Sequence, residues 1–358
     1  MNEAGAASFT GLVDLAAASL GGRAIGTSDD FFAEMGNLLL PGRGVFIEGK
    51  FTDRGKWMDG WESRRKRESG HDWCVIELGA PGTVLGLDVD TNHFVGNCPS
   101  FAAVEGILAP RGTALADLQG MKWTEVLPPS ALRPGSQNLF AAAGAGAISH
   151  VRLSIFPDGG VARFRVFGRV QPRWDTNADA PASDRDDETR AHVPANLVDL
   201  GAVKNGGLAL ACSDAFFGPM NNLLLPGRAE NMGGGWETRR KRAPGHDWIL
   251  VQLGARGAVE AVEVDTNHFK GNHPDRFSLD VIDAPGARVT DLVGASAYAD
   301  PQGPAKGRWR PLLPETGLGP SARHFFRETL STAPATHARL NVFPDGGVSR
   351  LRLWGTRA

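Results

Sequence analysis

An internal duplication constrains this chain more than any other feature of its sequence. Residues 59–97 align without a gap onto residues 234–272, and 24 of the 39 aligned positions are identical. A similarity of this length within one chain indicates that one structural unit occurs twice. Each strand that we predict for one copy is therefore expected in the other.

The duplication extends well beyond this central stretch. Residues 13–32 match residues 198–217, and residues 149–168 match residues 336–355. The segment between the copies breaks the pattern, since it is polar, rich in charge and contains two prolines. We predict a first domain at 8–170, a linker at 171–192 and a second domain at 193–358.

The two copies differ most in one loop. The first copy has residues 44–59 where the second has only residues 229–234, which is a ten-residue insertion. Loops are where copies of a domain diverge most readily. We expect the inserted loop to cover one pocket or to fill the groove between the copies. Its basic and aromatic side chains include Lys50, Arg54, Lys56 and Trp57.

Composition and charge exclude several classes of protein. A formal net charge of −2 over 358 residues argues against binding nucleic acid through bulk positive charge. No stretch approaches the roughly 18 apolar residues of a membrane span, and the N-terminus lacks the pattern of a signal peptide. Cys74, Cys98 and Cys212 form neither a disulfide framework nor a structural zinc motif. We expect a cytoplasmic protein without a membrane or nucleic-acid partner.

Alternating hydrophobic residues and abundant turn residues predict an all-β fold. The 46 glycines and 23 prolines favour short strands joined by turns. In the central stretch we predict a strand, a turn at 80–82, and a second strand that places His93 and His268 on its core face. The PDGG sequences at 157–160 and 344–347 predict hairpins. Two tandem jelly-roll β-sandwiches are the most economical architecture.

Four motifs, each present twice and in the same order, carry a resemblance to a known family. They are WE[ST]RRKR, GHDW, DTNHFxGN and FPDGG. Together they resemble the allantoicases, whose repeats are jelly rolls of the discoidin or galactose-binding-like type, and the resemblance covers both copies. It implies hydrolysis of allantoate, a small-molecule ureide, to (S)-ureidoglycolate and urea during allantoin and purine degradation. We also expect a homo-oligomer.

The chemistry implied by this resemblance indicates which residues to consider as catalytic. Release of urea needs a proton donor for the leaving nitrogen and a base that activates water. Histidine titrates near neutral pH, and a carboxylate can serve as base or stabilise developing positive charge. The duplicated stretch supplies both residue types at matched positions. The candidate catalytic residues are Glu62, His71, Asp90 and His93, with Glu237, His246, Asp265 and His268 in the second copy.

Structural explanations for these residues stay open. Glu62 could form a salt bridge with a neighbouring arginine, and a histidine at a strand end could be held by a backbone carbonyl. A regular strand would place Asp90 and His93 on opposite faces, which excludes an Asp–His dyad unless the strand ends or bulges at Thr91. A divalent cation is compatible with such a hydrolase. No ligands are assigned to it, and no cofactor is predicted.

Binding the carboxylate of allantoate requires a cation, for which the bidentate guanidinium of arginine is well suited. An RRKR run is equally typical of a solvated surface. For the Gly-Asn pairs that end the motif, a turn role is favoured over substrate contact. The candidate binding residues are Arg64, Arg65, Arg67, Thr91 and Asn97, with Arg239, Arg240, Arg242, Thr266 and Asn272 in the second copy.

The main alternative function is a pair of discoidin-like modules that bind a sugar or a protein without catalysis. Such modules are usually secreted and rich in exposed Trp and Tyr, whereas this chain has one tyrosine and no export signal. A purely structural duplicated sandwich is a weaker alternative, because Arg, Glu, His and Asp concentrate in one duplicated stretch. Whether one copy, both copies or their interface carries the site is left open by the sequence.

Overall fold

The computed structural model describes residues 9–144, 146–172, 174, 185–293, 309–329, 331 and 333–358. The chain divides into two compact units, Met1–Pro172 and Arg173–Ala358. Within the predicted linker, residues 173 and 175–184 lie outside the described residues. The described end of that segment packs on the second unit, because Asp186 forms a 2.7 Å ion pair with Arg323.

The first unit consists almost entirely of strands, as the alternation and turn residues predict. Its elements in chain order are β1 (Val13–Asp14), β2 (Arg23–Thr27), β3 (Phe51–Thr52), β4 (Gly55–Lys56), β5 (Trp61–Glu62), β6 (Asp72–Asp90), β7 (Phe101–Ile107), α1 (Leu115–Gln119), β8 (Thr124–Ala131), β9 (Leu139–Ala141), β10 (Ile148–Phe156), β11 (Gly160–Val161) and β12 (Arg163–Val170). Short 3₁₀ turns lie at Ala18–Leu20 and Met35–Leu39.

Strand β6 organises this unit because it belongs to both layers of the sandwich. Its first half pairs with β2 on one side and with β10 on the other, and β7 and β8 extend that layer. Its second half pairs with β9 and with β12, which also pairs with β1. The fold is therefore a two-layer antiparallel β-sandwich, as expected for a jelly roll.

The predicted turn at residues 80–82 is wrong, because β6 runs unbroken from Asp72 to Asp90. Two glycines explain how the strand bends instead of turning. A Cβ on Gly79 would lie 2.7 Å from the Leu20 carbonyl oxygen, and one on Gly82 would lie 2.4 Å from that of Arg169. Glycine thus lets neighbouring backbone approach the bend closely enough for β6 to pass from one layer to the other.

The PDGG prediction also needs correction. Strands β10 and β12 do not form a hairpin, since each pairs with a different part of β6. The segment between them instead passes the start of β6, where Asp72 N donates to the Pro157 carbonyl at 3.1 Å. It then forms β11, which pairs with β5.

The second unit repeats this architecture. The same pairing order links its strands, apart from the β3–β4 hairpin, which lies in the insertion of the first copy. Its elements are α2 (Asp187–His192), β13 (Val198–Asp199), β14 (Leu208–Cys212), β15 (Trp236–Glu237), β16 (Asp247–Asp265), β17 (Arg276–Ile282), α3 (Val289–Val293), β18 (Arg310–Gly317), β19 (Arg323–Phe326), β20 (Ala335–Phe343), β21 (Gly347–Val348) and β22 (Arg350–Arg357). Short 3₁₀ turns lie at Val203–Asn205, Met220–Leu224 and Met232–Gly234.

Alternate side chains of the long strands fill the space between the layers. Fully buried residues of the first unit include Ile76, Leu87 and Phe164, and strand β16 contributes Ile249 and Val264 in the second. Across the described part of the chain, none of the helices is long and apolar enough to cross a membrane. The edge of each sandwich where β5 or β15 meets the end of β6 or β16 carries most of the predicted site residues.

Candidate functional site

Strand β5 holds Glu62 through contacts with both of its neighbours. Trp61 is fully buried and its indole nitrogen donates to the Asp29 carbonyl at 2.8 Å. On one side Glu62 pairs with Gly160, and on the other its backbone pairs with Ala33. The WE motif therefore uses its tryptophan as an anchor and places the neighbouring carboxylate at the rim of the sandwich.

The partner of Glu62 is an amide and not an arginine. Asn97 Nδ2 donates to Glu62 Oε1 at 2.7 Å, and Asn272 Nδ2 donates to Glu237 Oε1 at 2.6 Å. Neither glutamate forms an ion pair with an arginine among the described residues, so the salt bridge considered as a structural explanation for at least one copy is not found. Burial raises the pKa of Glu62, and the hydrogen bond from Asn97 opposes that rise.

Asn97 is also held through its backbone carbonyl. Gly160 N donates to the Asn97 carbonyl at 2.9 Å. A Cβ on Gly159 would lie 2.3 Å from that same oxygen, and Gly159 has φ +136°. Only glycine fits this close approach, so the PDGG segment serves to bring the Asn97 loop against Glu62.

His93 and His268 do not lie on the core face, so that prediction is wrong. Strand β6 ends at Asp90, and His93 adopts a left-handed backbone conformation with φ +68°. Its exposed side chain packs near Phe46, with ring centroids 5.8 Å apart. His268 has φ +71°, and its Nε2 lies 2.9 Å from the Ala229 carbonyl oxygen.

Asp90 and Thr91 are buried beneath this turn. Arg43 binds both carboxylate oxygens of Asp90 at 2.9 Å, and Asn92 N donates to Asp90 Oδ1. The Thr91 hydroxyl donates to the Arg133 carbonyl at 2.7 Å. Asp265 and Thr266 are held in the same way by Arg228 and by the Gly319 carbonyl. All four residues have partners that explain them structurally.

The RRKR segment has two kinds of residue. Arg64 pairs with Asp29 at 2.6 Å and Lys66 pairs with Asp72 at 2.8 Å. Arg239 and Lys241 pair likewise with Asp214 and Asp247 in the second unit. The intervening cations are exposed and form no ion pair within the described part of the chain: Arg65, Arg67, Arg240 and Arg242.

His71 and His246 lie against aromatic rings at the start of the long strands. The His71 ring is 4.6 Å from that of Phe156, and the His246 ring is 4.8 Å from that of Phe343. Burial, with a smaller contribution from Arg339, lowers the pKa of His246. His71 thus lies beside Phe156 and is not among the residues that line the cleft described next.

A cleft of about 510 Å³ in the first unit brings three of the predicted site residues together. Glu62, His93 and Asn97 line it, and so do residues that the sequence analysis had not assigned to a site. Two of these, Phe46 and Lys56, belong to the inserted loop. Phe32 precedes the inserted loop in the sequence. The insertion itself was the sequence signal for Phe46 and Lys56, and no sequence signal pointed to Phe32.

Metal ligation has no support among the described residues. Within them, no group of three or more His, Cys, Asp or Glu side chains is arranged to hold a metal ion. The arrangement in the cleft is suited to proton transfer, with a half-buried carboxyl, an amide that orients it and an accessible imidazole.

Comparisons with known proteins agree with the motifs. The family model described as "Allantoicase repeat" matches residues 13–171 and 198–358. A probable allantoicase of Burkholderia mallei is 45% identical over 96% of this chain and 94% of its own length. One of Stutzerimonas stutzeri is also 45% identical, over 97% of each chain.

Solved structures give the same result. The crystal structure of allantoicase from Saccharomyces cerevisiae superposes with a TM-score of 0.78 at 30% identity, covering 99% of both chains. A second allantoicase structure has a TM-score of 0.77 at 30% identity, covering 100% of this chain and 99% of the other. Both copies of the repeat, the full-length identity and the fold agree, so this chain belongs to the allantoicase family.

Proposed function

We propose that this protein hydrolyses allantoate to ureidoglycolate and urea. The full-length similarity to allantoicases supports this most strongly, because it includes both repeats and every motif of the duplicated stretch. The cleft in the first unit offers the groups that the reaction needs.

Water attacks the carbon that bears the carboxylate and two ureido groups. A carbon–oxygen bond forms, and the carbon–nitrogen bond to one ureido group breaks. The leaving nitrogen takes a proton and departs as urea, while the attacking water gives up a proton. The nitrogen of the remaining ureido group supports the positive charge that develops on the carbon as the bond breaks.

Glu62 is the proton donor in this proposal. Its carboxyl is partly withdrawn from solvent, and burial raises its pKa, which increases the protonated fraction at neutral pH. Asn97 fixes the orientation of the carboxyl through its 2.7 Å hydrogen bond. A carboxyl held in one orientation donates its proton along one direction, which suits transfer to a leaving nitrogen.

His93 is the base that activates water. It lines the same cleft as Glu62, and imidazole can accept a proton near neutral pH. Its left-handed backbone turns the side chain out of the sandwich, next to the cleft. Strained conformations of this kind are frequent at functional sites. The cycle closes when His93 releases its proton and Glu62 regains one from solvent.

The exposed cations Arg65 and Arg67 attract the substrate. Allantoate carries one negative charge, and a cluster of unpaired cations raises the local concentration of an anion. This is a long-range effect and requires no direct contact with the bound molecule.

We also propose that the protein acts in the cytoplasm as a homo-oligomer. The three free thiols, Cys74, Cys98 and Cys212, suit a reducing compartment. Phe51 and Phe216 are each more than half exposed, and large exposed apolar side chains are frequent at contacts between chains. Light scattering after size-exclusion chromatography measures the oligomeric state, and a monomer at micromolar concentration would contradict this part.

The proposed activity is tested by incubating purified full-length protein with allantoate. We expect urea and ureidoglycolate in equal amounts, with and without a chelator. Folded protein that releases neither product under both conditions would contradict the proposal. If calorimetry then showed binding of a sugar without turnover, the discoidin-like binding function would replace it.

A further inference from the structure

The Glu–Asn pair is present in both repeats with nearly the same geometry. The hydrogen bond measures 2.7 Å between Asn97 and Glu62 and 2.6 Å between Asn272 and Glu237. In each repeat the two residues are 35 positions apart. Any functional difference between the repeats must therefore come from what surrounds the pair.

The inserted loop, residues 44–59, is the largest difference, and it is fixed at both ends. Asp59 Oδ2 accepts from Val45 N at 2.8 Å and from the buried guanidinium of Arg163 at 2.8 Å. Asn92, in the His93 turn, donates from its side chain to the Gly44 carbonyl at 2.8 Å. The loop is thereby attached to the same turn that carries His93.

The second repeat keeps only part of this attachment. Asn267, the counterpart of Asn92, donates from its side chain to the Ala229 carbonyl at 3.3 Å, but no carboxylate stands at the position of Asp59. Gly234 occupies the position of Asp59, and Arg350, the counterpart of Arg163, donates to the Gly234 carbonyl at 2.7 Å. The aromatic side chain beside the glutamate is affected as well. Phe217 is 60% exposed, whereas its counterpart Phe32 is half-buried and lines the cleft. The insertion therefore covers apolar surface in the first repeat that the second leaves open.

His93 and its counterpart His268 also differ, in whether the ring is hydrogen-bonded. The Nε2 atom of His268 is engaged by the Ala229 carbonyl at 2.9 Å. The His93 ring packs beside Phe46 of the inserted loop, and it forms no hydrogen bond with any residue that the structure describes. Its nitrogens are thus available to a water or a ligand in the cleft.

Lys56 is the cation that the inserted loop brings to the cleft. Its Nζ lies 4.5 Å from the centroid of the Phe46 ring, and both residues line the cleft with Glu62. Lys56 has no carboxylate partner within the described ranges. By contrast, Arg64 and Lys66 of the RRKR segment are already paired with Asp29 and Asp72.

We propose that the first repeat alone carries the working site, and that Lys56 of the inserted loop binds the carboxylate of the substrate there. This inference rests on the proposed hydrolysis of allantoate. The second repeat keeps the Glu–Asn pair as part of its fold, where Asn272 joins strand β15 to the loop that follows β16. The second repeat lacks the inserted loop, and with it the counterparts of Lys56 and Phe46.

The test compares variants of the full-length protein in the allantoate assay. Lys56→Gln removes the charge, and we expect KM to rise at least tenfold with kcat changed less than threefold, since carboxylate binding is shared by ground and transition states. Lys56→Arg should restore most of the affinity. Lys50→Gln is the matched control, because Lys50 lies in the same loop but over Trp57, outside the cleft lining.

The claim for a single site is tested by Glu62→Gln and Glu237→Gln in parallel. We expect kcat to fall at least 100-fold for Glu62→Gln and to stay within twofold for Glu237→Gln. Equal losses in both variants, or an unchanged KM for Lys56→Gln, would overturn the inference while wild-type turnover still upheld the proposed function. Absence of turnover in the wild type would instead overturn the proposed function.

Discussion

The side-chain amide of Asn97 donates a 2.7 Å hydrogen bond to Glu62 Oε1 at the rim of the first β-sandwich. The bond joins the end of the DTNHFxGN motif to the WE motif. It explains why both motifs occur together in each repeat, since either residue alone would leave the other without this partner. It also controls the protonation of the carboxyl that we propose as the acid.

Removing this hydrogen bond should change the pH dependence of turnover. Asn97 favours the ionised form of Glu62, so Asn97→Ala should raise the pKa of Glu62 further above its ordinary value. An acid is active when protonated, so kcat should fall as pH rises through the pKa of Glu62. In Asn97→Ala this descending limb of the kcat–pH profile should lie at higher pH. A charge-assisted hydrogen bond corresponds to a shift of roughly one pH unit.

The measurement is kcat against pH from about 5 to 9 for the wild type and the variant. Asn272→Ala serves as the control in the second repeat and should leave the limb in place. A limb that stays fixed in Asn97→Ala, or moves to lower pH, would show that Glu62 does not act as the acid.

Loosening the inserted loop should reduce activity without unfolding the sandwich. The Asp59 carboxylate accepts hydrogen bonds from Val45 and Arg163, so Asp59→Ala removes both of these attachments and leaves the bond from Asn92 to the Gly44 carbonyl. We expect kcat/KM to fall at least tenfold. Trypsin should also cleave faster after Lys50, Arg54 or Lys56, because a mobile loop fits a protease better.

Asp53→Ala is the control for this experiment, since Asp53 is exposed in the connection between β3 and β4. It should alter neither cleavage nor turnover. Unchanged proteolysis in Asp59→Ala would mean that other contacts suffice to hold the loop. Full activity despite faster cleavage would show that catalysis does not need an ordered loop.

Asp88 should make the first unit less stable at neutral than at acidic pH. Burial raises the pKa of Asp88 from 3.8 to about 6, and its Oδ1 atom has no hydrogen-bond partner among the described residues. A raised pKa means that the folded state binds a proton more tightly than the unfolded state. The contribution of protonated Asp88 to the free energy of unfolding is therefore complete below about pH 4, and it is lost as pH rises through about 6.

Asp88→Asn removes the buried charge while its side-chain oxygen can still accept from Gln137, which donates to Asp88 Oδ2 at 2.7 Å. We expect the variant to gain about 1–3 kcal/mol of stability at pH 7.5 and clearly less at pH 5. Urea denaturation at both pH values measures the difference. A variant that is less stable than the wild type at pH 7.5 would refute the assignment.

The ion pair beneath the His93 turn should contribute to stability more than the exposed cations do. Asp90 is almost completely buried, and Arg43 binds both of its oxygens at 2.9 Å. Arg43→Ala leaves that carboxylate without its counter-ion, at a cost of about 2–4 kcal/mol. Arg65→Ala removes an exposed charge that has no ion-pair partner among the described residues, and it should change stability by less than about 0.5 kcal/mol. Equal unfolding midpoints for the two variants would contradict this account.

Much of the fold follows from local pattern. The duplication predicts two equivalent units, and the alternation of Cys74, Ile76 and Leu78 predicts a strand with one buried face. The structure has the strand as β6, but Val75 and Glu77 on its other face are buried as well. The turn expected at residues 80–82 is absent for a non-local reason. Whether a glycine-rich stretch turns or bends depends on which backbone approaches it, here that of Leu20 and Arg169.

The site shows the same division between local and non-local information. The motifs contain Glu62, His93 and Asn97, because residue type and repetition mark them. Their grouping is set by how the PDGG segment packs on the Asn97 loop, which is a contact between residues about 60 positions apart. The placement of His93 failed because a two-residue period applies only within a strand, and β6 ends at Asp90.

The central claim is that Glu62 of the first repeat transfers a proton during hydrolysis of allantoate. The most direct measurement is the initial rate of urea release by the wild type and by Glu62→Gln, at equal concentrations of folded protein. We predict release of urea with an equal amount of ureidoglycolate in the wild type, and a rate at least 100-fold lower in Glu62→Gln with an unchanged unfolding temperature. A Glu62→Gln protein that turns over allantoate at the wild-type rate would contradict the account.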